Sequence, residues 1–449
     1  MKAISAPVVV SPEAPGRDAS RPAAALAGLI DWSGLAIFAL FVWQLFFVAD
    51  AALHWLGVGV AMVGIVAARL AHKRIRTPID IPLAIYTSLI VVSALVHSRQ
   101  FSPIILRGDP VAPWQPAAHA VALMLFFYGA TALLADSWRV RTLLAIIIVA
   151  VSVLGLAASY SHLIAGFDTR LINYKSILQW SGYPELGLLF AIACPIALAI
   201  AVVHRSRAVV LASSLAALTF VAYAAGVYSR GTNVSIVAAL VVMGIVELRV
   251  LKGRRLLVVA CLAMLILAVA LLAGVVPVRS FIAFGTGRLY TTNTAGAYLS
   301  RFTMWGRAAE MARDHLFLGV GPGNYSDAMR KVYVTAADPY LYQFHAHNTI
   351  LQVAAESGIP ALIAFLLIWW RILAGLARLC GHTRTGVVAL GLLGALVTVV
   401  ARSLGDHFLS GLPTADRTGF LVWTLLAASA ATIRLGGPRG RADRETAVP

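Results

Sequence analysis

Two short stretches of the chain carry side chains suited to moving a proton and gripping an anion. Phe344-His345-Ala346-His347-Asn348-Thr349 opens a long apolar run, and Tyr228-Ser229-Arg230-Gly231-Thr232-Asn233 sits between two others. A general base works best when its pKa lies near ambient pH, so His347 at the mouth of an apolar segment suits a proton acceptor. A histidine there can equally cap a helix and reach water, and both readings stand on the residues alone. His345 lies two positions earlier, a spacing that shares no helix face, and no third ligand lies at helical spacing, so no metal is expected. Arg230 has almost no loop to carry it away from the apolar runs. A planar, permanently charged guanidinium matches phosphate oxygens with two parallel hydrogen bonds, although an arginine there can also reach lipid headgroups. Further candidates are Arg170 and Lys175, the group Arg402, Asp406 and His407, and Glu356, an intramembrane carboxylate of the kind that is usually paired or functional. Asp406-His407 resembles part of a catalytic triad, but no activated serine accompanies it, so a structural or substrate-lining role is expected.

The elements that must position these groups are membrane helices. Of 449 residues 60% are hydrophobic and only 12% charged, with mean hydropathy +0.84, values that exclude an ordinary water-soluble domain. Apolar runs long enough to cross a bilayer recur twelve times, at 30–49, 51–69, 79–97, 117–135, 142–165, 184–203, 208–228, 232–250, 256–276, 349–375, 385–403 and 418–433. The fold class expected is therefore an all-α polytopic membrane protein. Residues 1–26 read as a disordered cytoplasmic tail without the features of a removable signal peptide, 27–276 as spans one to nine, 277–347 as a large external loop, 348–433 as spans ten to twelve, and 434–449 as a second cytoplasmic tail. Basic clusters follow every even-numbered span, from Arg69, Lys73, Arg74 and Arg76 to Arg434, Arg439, Arg441 and Arg444, which puts both termini in the cytoplasm. Cys194, Cys261 and Cys380 all lie in apolar runs, so neither a disulfide framework nor redox chemistry is expected.

The formal charge of +17 is not all explained by orientation. The loop from Pro277 to His347 carries Arg279, Arg288, Arg301, Arg307, Arg313, Arg330 and Lys331 on the face where positive charge is normally sparse, so a bound anion or internal ion pairs must account for them. Within it Arg301 to His315 sets Phe302, Trp305, Ala309 and Ala312 on one stripe, the pattern of an amphipathic helix at the membrane interface. Gly319-Val320-Gly321-Pro322-Gly323-Asn324 then ends the helix; lacking a following Lys-Ser or Lys-Thr, it reads as a turn rather than a nucleotide phosphate loop.

Three of these segments together resemble the O-antigen ligase and polymerase superfamily of bacterial envelope membrane proteins. They are Ser229-Arg230-Gly231 after an apolar span; Arg301 with Trp305 and then His315-Leu316-Phe317-Leu318-Gly319-Val320-Gly321-Pro322-Gly323-Asn324-Tyr325; and His347-Asn348 with Gly358 beyond, about 130 residues in all. The resemblance implies a lipid-sugar-dependent (GT-C-like) glycosyltransferase in the inner membrane, inverting, needing no metal or cofactor, with its active site facing the periplasm. The donor implied is O-antigen polysaccharide on undecaprenyl diphosphate and the acceptor a core sugar of lipid A-core, with the phospholipid bilayer as surroundings and no nucleic acid partner. At the matched positions it implies His347 as activating base and Arg230 as catalytic diphosphate contact. Arg301, Arg288, Arg170, Lys175, His345 and Asn348 are the substrate-binding candidates. Alternatives are an O-antigen polymerase, a protein O-oligosaccharyltransferase and, from another class, a lipid-linked glycan transporter. A transporter tends to carry broken helices with ionisable groups at midplane, whereas here the charges gather at one face.

Overall fold

The computed structural model describes residues 20–47, 50–70, 75–98, 112–164, 183–204, 206–226, 230–251, 292–333, 345–380, 385–405 and 417–437. Among them are α1 (Ser20–Gln44), α2 (Asp50–Leu70), α3 (Asp80–His97), α4 (Gln115–Leu133), α5 (Ser137–Ile164), α6 (Tyr183–Val203), α7 (Arg207–Gly226) and α8 (Arg230–Leu251). There follow α9 (Thr292–Asp314), the short α10 (Tyr325–Ala328) with a π turn at Met329–Tyr333, α11 (Thr349–Leu379), α12 (Gly386–Ser403) and α13 (Arg417–Gly436), and no strand occurs among the described residues. Helices α3, α4, α5, α11, α12 and α13 are long and apolar enough to cross a membrane, and α1, α2, α6, α7 and α8 carry shorter apolar stretches. The chain is a multi-pass membrane protein. Every expected span except 256–276, which lies outside the described residues, falls on one of these helices. The first begins earlier than expected, because Ser20 to Leu26, assigned to the tail, already belong to α1.

Helices associate here through small residues and aromatic knots, as they must where lipid is as apolar as the side chains. A Cβ added to Gly64 of α2 would stand 2.3 Å from the carbonyl oxygen of Gly129 in α4, so the two backbones touch. Phe41, Phe126 and Phe420 bring α1, α4 and α13 together with ring centroids 5.2–5.3 Å apart. Helix α6 is apolar all round and is buried from Leu186 to Ala199, packed by α5, α7, α8 and α12. Outward-facing Ile363, Leu366, Leu367 and Trp370 of α11 are exposed, as lipid-facing residues are.

The face that the amphipathic α9 buries overlaps the expected one only in part, with Ala312 buried, Trp305 half-buried and Ala309 exposed. Met304, Ala308 and Met311 are its inner stripe and pack with Val320, Tyr325, Ala346 and Ala355, whereas Phe302 is exposed and meets Trp305 edge-on at 5.4 Å. Flexible Met fills the irregular gap against α11.

Candidate functional site

The site begins at a break in α11. Gly358 is non-helical (φ +83°, ψ 172°), two residues before Pro360. In an unbroken helix the carbonyls of Ala355 and Glu356 would accept from residues 359 and 360. Ile359 instead donates to Leu316 O at 2.8 Å, and Pro360 has no N–H. The glycine turn supplies the substitutes: Val320 N–H reaches Ala355 O at 2.8 Å and Gly321 N–H reaches Glu356 O at 3.0 Å. The approach is so close that a Cβ on Gly319 would lie 2.2 Å from the carbonyl carbon of Glu356. Ser93 of α3 completes the clasp, its hydroxyl donating to Leu318 O at 2.5 Å. Irregular backbone at membrane depth survives only when buried and satisfied in this manner. The glycine run is thus a structural turn, as expected, and its partner is the helix break.

At the start of α11, Asn348 is the N-cap: its Oδ1 accepts from Leu351 N–H at 3.1 Å, and its Nδ2 donates to Leu404 O, also at 3.1 Å. This ties the His347-Asn348 step to the end of α12. His347 has φ +50°, the only positive value at a non-glycine residue among the described residues, and its ring centroid lies 4.2 Å from that of His345. Such a conformation persists only where its surroundings impose it, and it occurs at functional sites more than elsewhere. No group of three His, Cys, Asp or Glu side chains that could hold a metal occurs among the described residues.

The end of α12 also carries Arg402, which is 5% exposed. Its guanidinium lies over Gly231, where a Cβ would stand 2.7 Å from Nη1 and 3.1 Å from Cζ. Gly231 is the second residue of α8, so the glycine makes room for the Arg402 guanidinium at the head of the helix that Arg230 opens. Arg402 stood among the sequence candidates without a role, and its packing against Gly231 was not legible there. Of Arg230 itself the backbone alone is described, and Arg288, Arg170, Lys175, Asp406 and His407 lie outside the described residues.

The loop's basic charge divides in two. Arg307 pairs with Glu310 at 2.8 Å, Arg313 with Asp314 at 3.4 Å, and Arg330 and Lys331 both with buried Asp327 at 2.9 and 2.6 Å. Half-buried Arg301 forms no ion pair among the described residues, while Met304, one turn further along α9, packs in one cluster with Ala346. Among the described residues internal pairing therefore absorbs the charge of Arg307, Arg313, Arg330 and Lys331. Burial, then the nearby Glu356 carboxylate, pushes the Tyr325 phenol up, so it stays a donor, to Met304 O at 3.3 Å.

Residues 214–366 match the family model described as O-antigen ligase, a stretch that holds Arg230, Arg301, the glycine turn, His345, His347, Asn348 and Gly358. No curated protein matches the chain. The matched segment, about a third of the chain, runs from within α7 into α11 and contains both the glycine turn and the helix break that form the clasp, so in this segment the chain is similar to an O-antigen ligase-like family.

Proposed function

We propose that the protein is an O-antigen ligase, transferring polysaccharide from undecaprenyl diphosphate to a core sugar hydroxyl of lipid A-core at the periplasmic face of the bacterial inner membrane. The chain crosses the bilayer twelve times in this reading, with both termini cytoplasmic. In the reaction the acceptor oxygen bonds to the anomeric carbon from the side opposite the leaving group, with inversion. His347 takes the hydroxyl proton, the bond from the anomeric carbon to the diphosphate oxygen breaks, and undecaprenyl diphosphate departs. A sugar hydroxyl is a poor nucleophile until a base removes its proton. Fixed guanidiniums stabilise the charge that grows on the departing diphosphate, which spares the reaction a metal ion and a general acid. Arg230, Arg402 and Arg301 fill that role, with Arg288, Arg170, Lys175 and His345 lining the substrate path, while Asn348 fixes the helix start that carries His347.

The observation that carries the proposal is the meeting of helix ends. Asn348, next to His347, bonds the carbonyl of Leu404, and Arg402, two residues before Leu404, packs on Gly231 beside Arg230. The base His347, the Arg402 guanidinium and the backbone that carries Arg230 are thereby drawn to one end of the bundle. The test is purified full-length protein supplied with a lipid-diphosphate glycan and lipid A-core. Covalent transfer to lipid A-core is expected. Lengthening of the donor glycan would mean polymerase, transfer to serine of an added pilin-like protein would mean protein glycosylation, and movement across vesicles without bond formation would mean transport.

A further inference from the structure

Between the helix break and His347 stands Gln352, buried and aimed at the histidine turn. Its Oε1 accepts the backbone N–H of Ala346 at 2.7 Å, which folds His345-Ala346-His347 back onto the first turn of α11. Ala346 is fully buried, so no water replaces that bond. Glu356 stands one helical turn on, on the same side of α11 as Gln352. Glu356, 2% exposed, accepts the N–H of Tyr325 at 3.1 Å through Oε1 and is faced by the N–H of Gly323 as well, while its Oε2 meets no hydrogen-bond donor among the described residues. A polar path therefore runs from the glycine turn through Glu356 and Gln352 to the residue that precedes His347.

The direction of the amide follows from chemistry. Its oxygen is taken by the Ala346 N–H, so the amide turns its NH₂ the other way, and a carboxylate one turn on is the group suited to accept from it. Around the pair the packing is apolar, from Met304, Val320, Tyr325 and Ala355. Burying an amide and a carboxylate there is unfavourable compared with a leucine, and what the pair contributes instead is a fixed geometry. That geometry bears on His347, whose left-handed backbone has Asn348 bound on one side and Ala346 on the other.

We infer that Gln352 and Glu356 are positioning residues for His347, holding its backbone in place through the Ala346 N–H and coupling it to the seated glycine turn. The inference rests on the transfer reaction proposed above, in which His347 must stand within hydrogen-bond reach of the acceptor hydroxyl. It is tested on the full-length protein with lipid-diphosphate glycan and lipid A-core, measuring kcat, donor KM and the thermal unfolding midpoint. Gln352→Met keeps the side-chain length and removes both polar atoms. It is expected to lower kcat by about 10- to 100-fold with donor KM within about twofold, the pattern of a misplaced base rather than of lost binding. Gln352→Glu sets two carboxylates face to face and is expected to be at least as slow. Adding Glu356→Gln to it restores one carboxylate and one amide in reversed order, which removes the repulsion between the two carboxylates while Ala346 and Tyr325 keep their acceptors, and kcat is expected to recover most of the loss. Wild-type kcat in Gln352→Met, or a double variant no faster than Gln352→Glu alone, would overturn the inference; if Gln352→Met does not fold, the second comparison decides. Absence of transfer by the wild-type protein would instead remove the proposed function, whereas wild-type transfer with an inactive His347→Ala and an unimpaired Gln352→Met would remove the positioning role alone.

Discussion

Gly319→Ala strikes the contact on which the site is built. Gly319 has φ +63°, and the added methyl would stand 2.2 Å from the carbonyl carbon of Glu356 and 2.5 Å from the carbonyl oxygens of Ala355 and Glu356. All three are backbone atoms, so no side-chain rotation relieves the clash. The left-handed conformation alone costs an alanine about 1–2 kcal/mol. If the turn lifts away, the carbonyls of Ala355 and Glu356 lose Val320 and Gly321 as donors, at about 1–3 kcal/mol for each buried acceptor left unsatisfied. The sum is at least about 3 kcal/mol, enough to lower the unfolding midpoint by about 3 °C or more in a chain of this length. Gly306→Ala is the matched control, since Gly306 lies on α9 and a Cβ there meets nothing within 4 Å. Thermal unfolding of both variants in detergent, with amide hydrogen exchange across residues 316–325 and 349–360, reads the effect. Gly319→Ala should exchange faster in both segments and Gly306→Ala in neither. Equal midpoints and equal protection in the two variants would refute the clasp.

Gly231→Ala displaces the Arg402 guanidinium, the flexible end of a side chain, so donor KM should rise roughly tenfold with little change in the unfolding midpoint; unchanged KM would remove Arg402 from the diphosphate site. Arg301→Ala should slow transfer by at least about tenfold, whereas Arg307→Ala, which breaks a partly exposed pair with Glu310, should change it by less than about threefold, and initial rates in the reverse order would contradict the division of the loop's charge. Asn348→Ala removes both the cap on α11 and the bond to Leu404, so the unfolding midpoint should fall by an amount matching about 1 kcal/mol or more, and no fall would leave the cap without consequence. Incubation with a chelator should leave the transfer rate unchanged; loss restored by one divalent ion would revive a metal role for His345 and His347.

What the sequence displayed and what it hid divide by range. The helices were legible because each satisfies a local requirement, an apolar run, and the described helices fall on the predicted runs, six of them long and apolar enough to cross a membrane. His347-Asn348 and Ser229-Arg230-Gly231 were legible as short local patterns, and the family match covers both. The clasp was not, because it joins Leu316 to Gly321 with a helix break whose only local trace is Gly358 near Pro360. Nor could Gly231 announce Arg402, which approaches from a helix far along the chain. The stripe on α9 was legible only in part, at Ala312 and Trp305, for a related reason. Phe302 and Trp305 drew attention as large apolar groups, but the space against α11 admits the narrower Met304, Ala308 and Met311, and Phe302 is left at the outside. The loop's charge posed a choice between ligand and ion pairs that side-chain proximity decides, and four of its basic residues among those described turn out to be paired.

The division of labour between imidazole and guanidinium is tested most directly by measuring donor binding and single-turnover transfer side by side in His347→Ala and Arg230→Ala, both inserted and folded as wild type. The account predicts that His347→Ala binds the lipid-diphosphate glycan normally yet forms no bond to lipid A-core, while Arg230→Ala is defective already in binding. Transfer by His347→Ala at a rate near wild type, or undiminished donor affinity in Arg230→Ala, would contradict it.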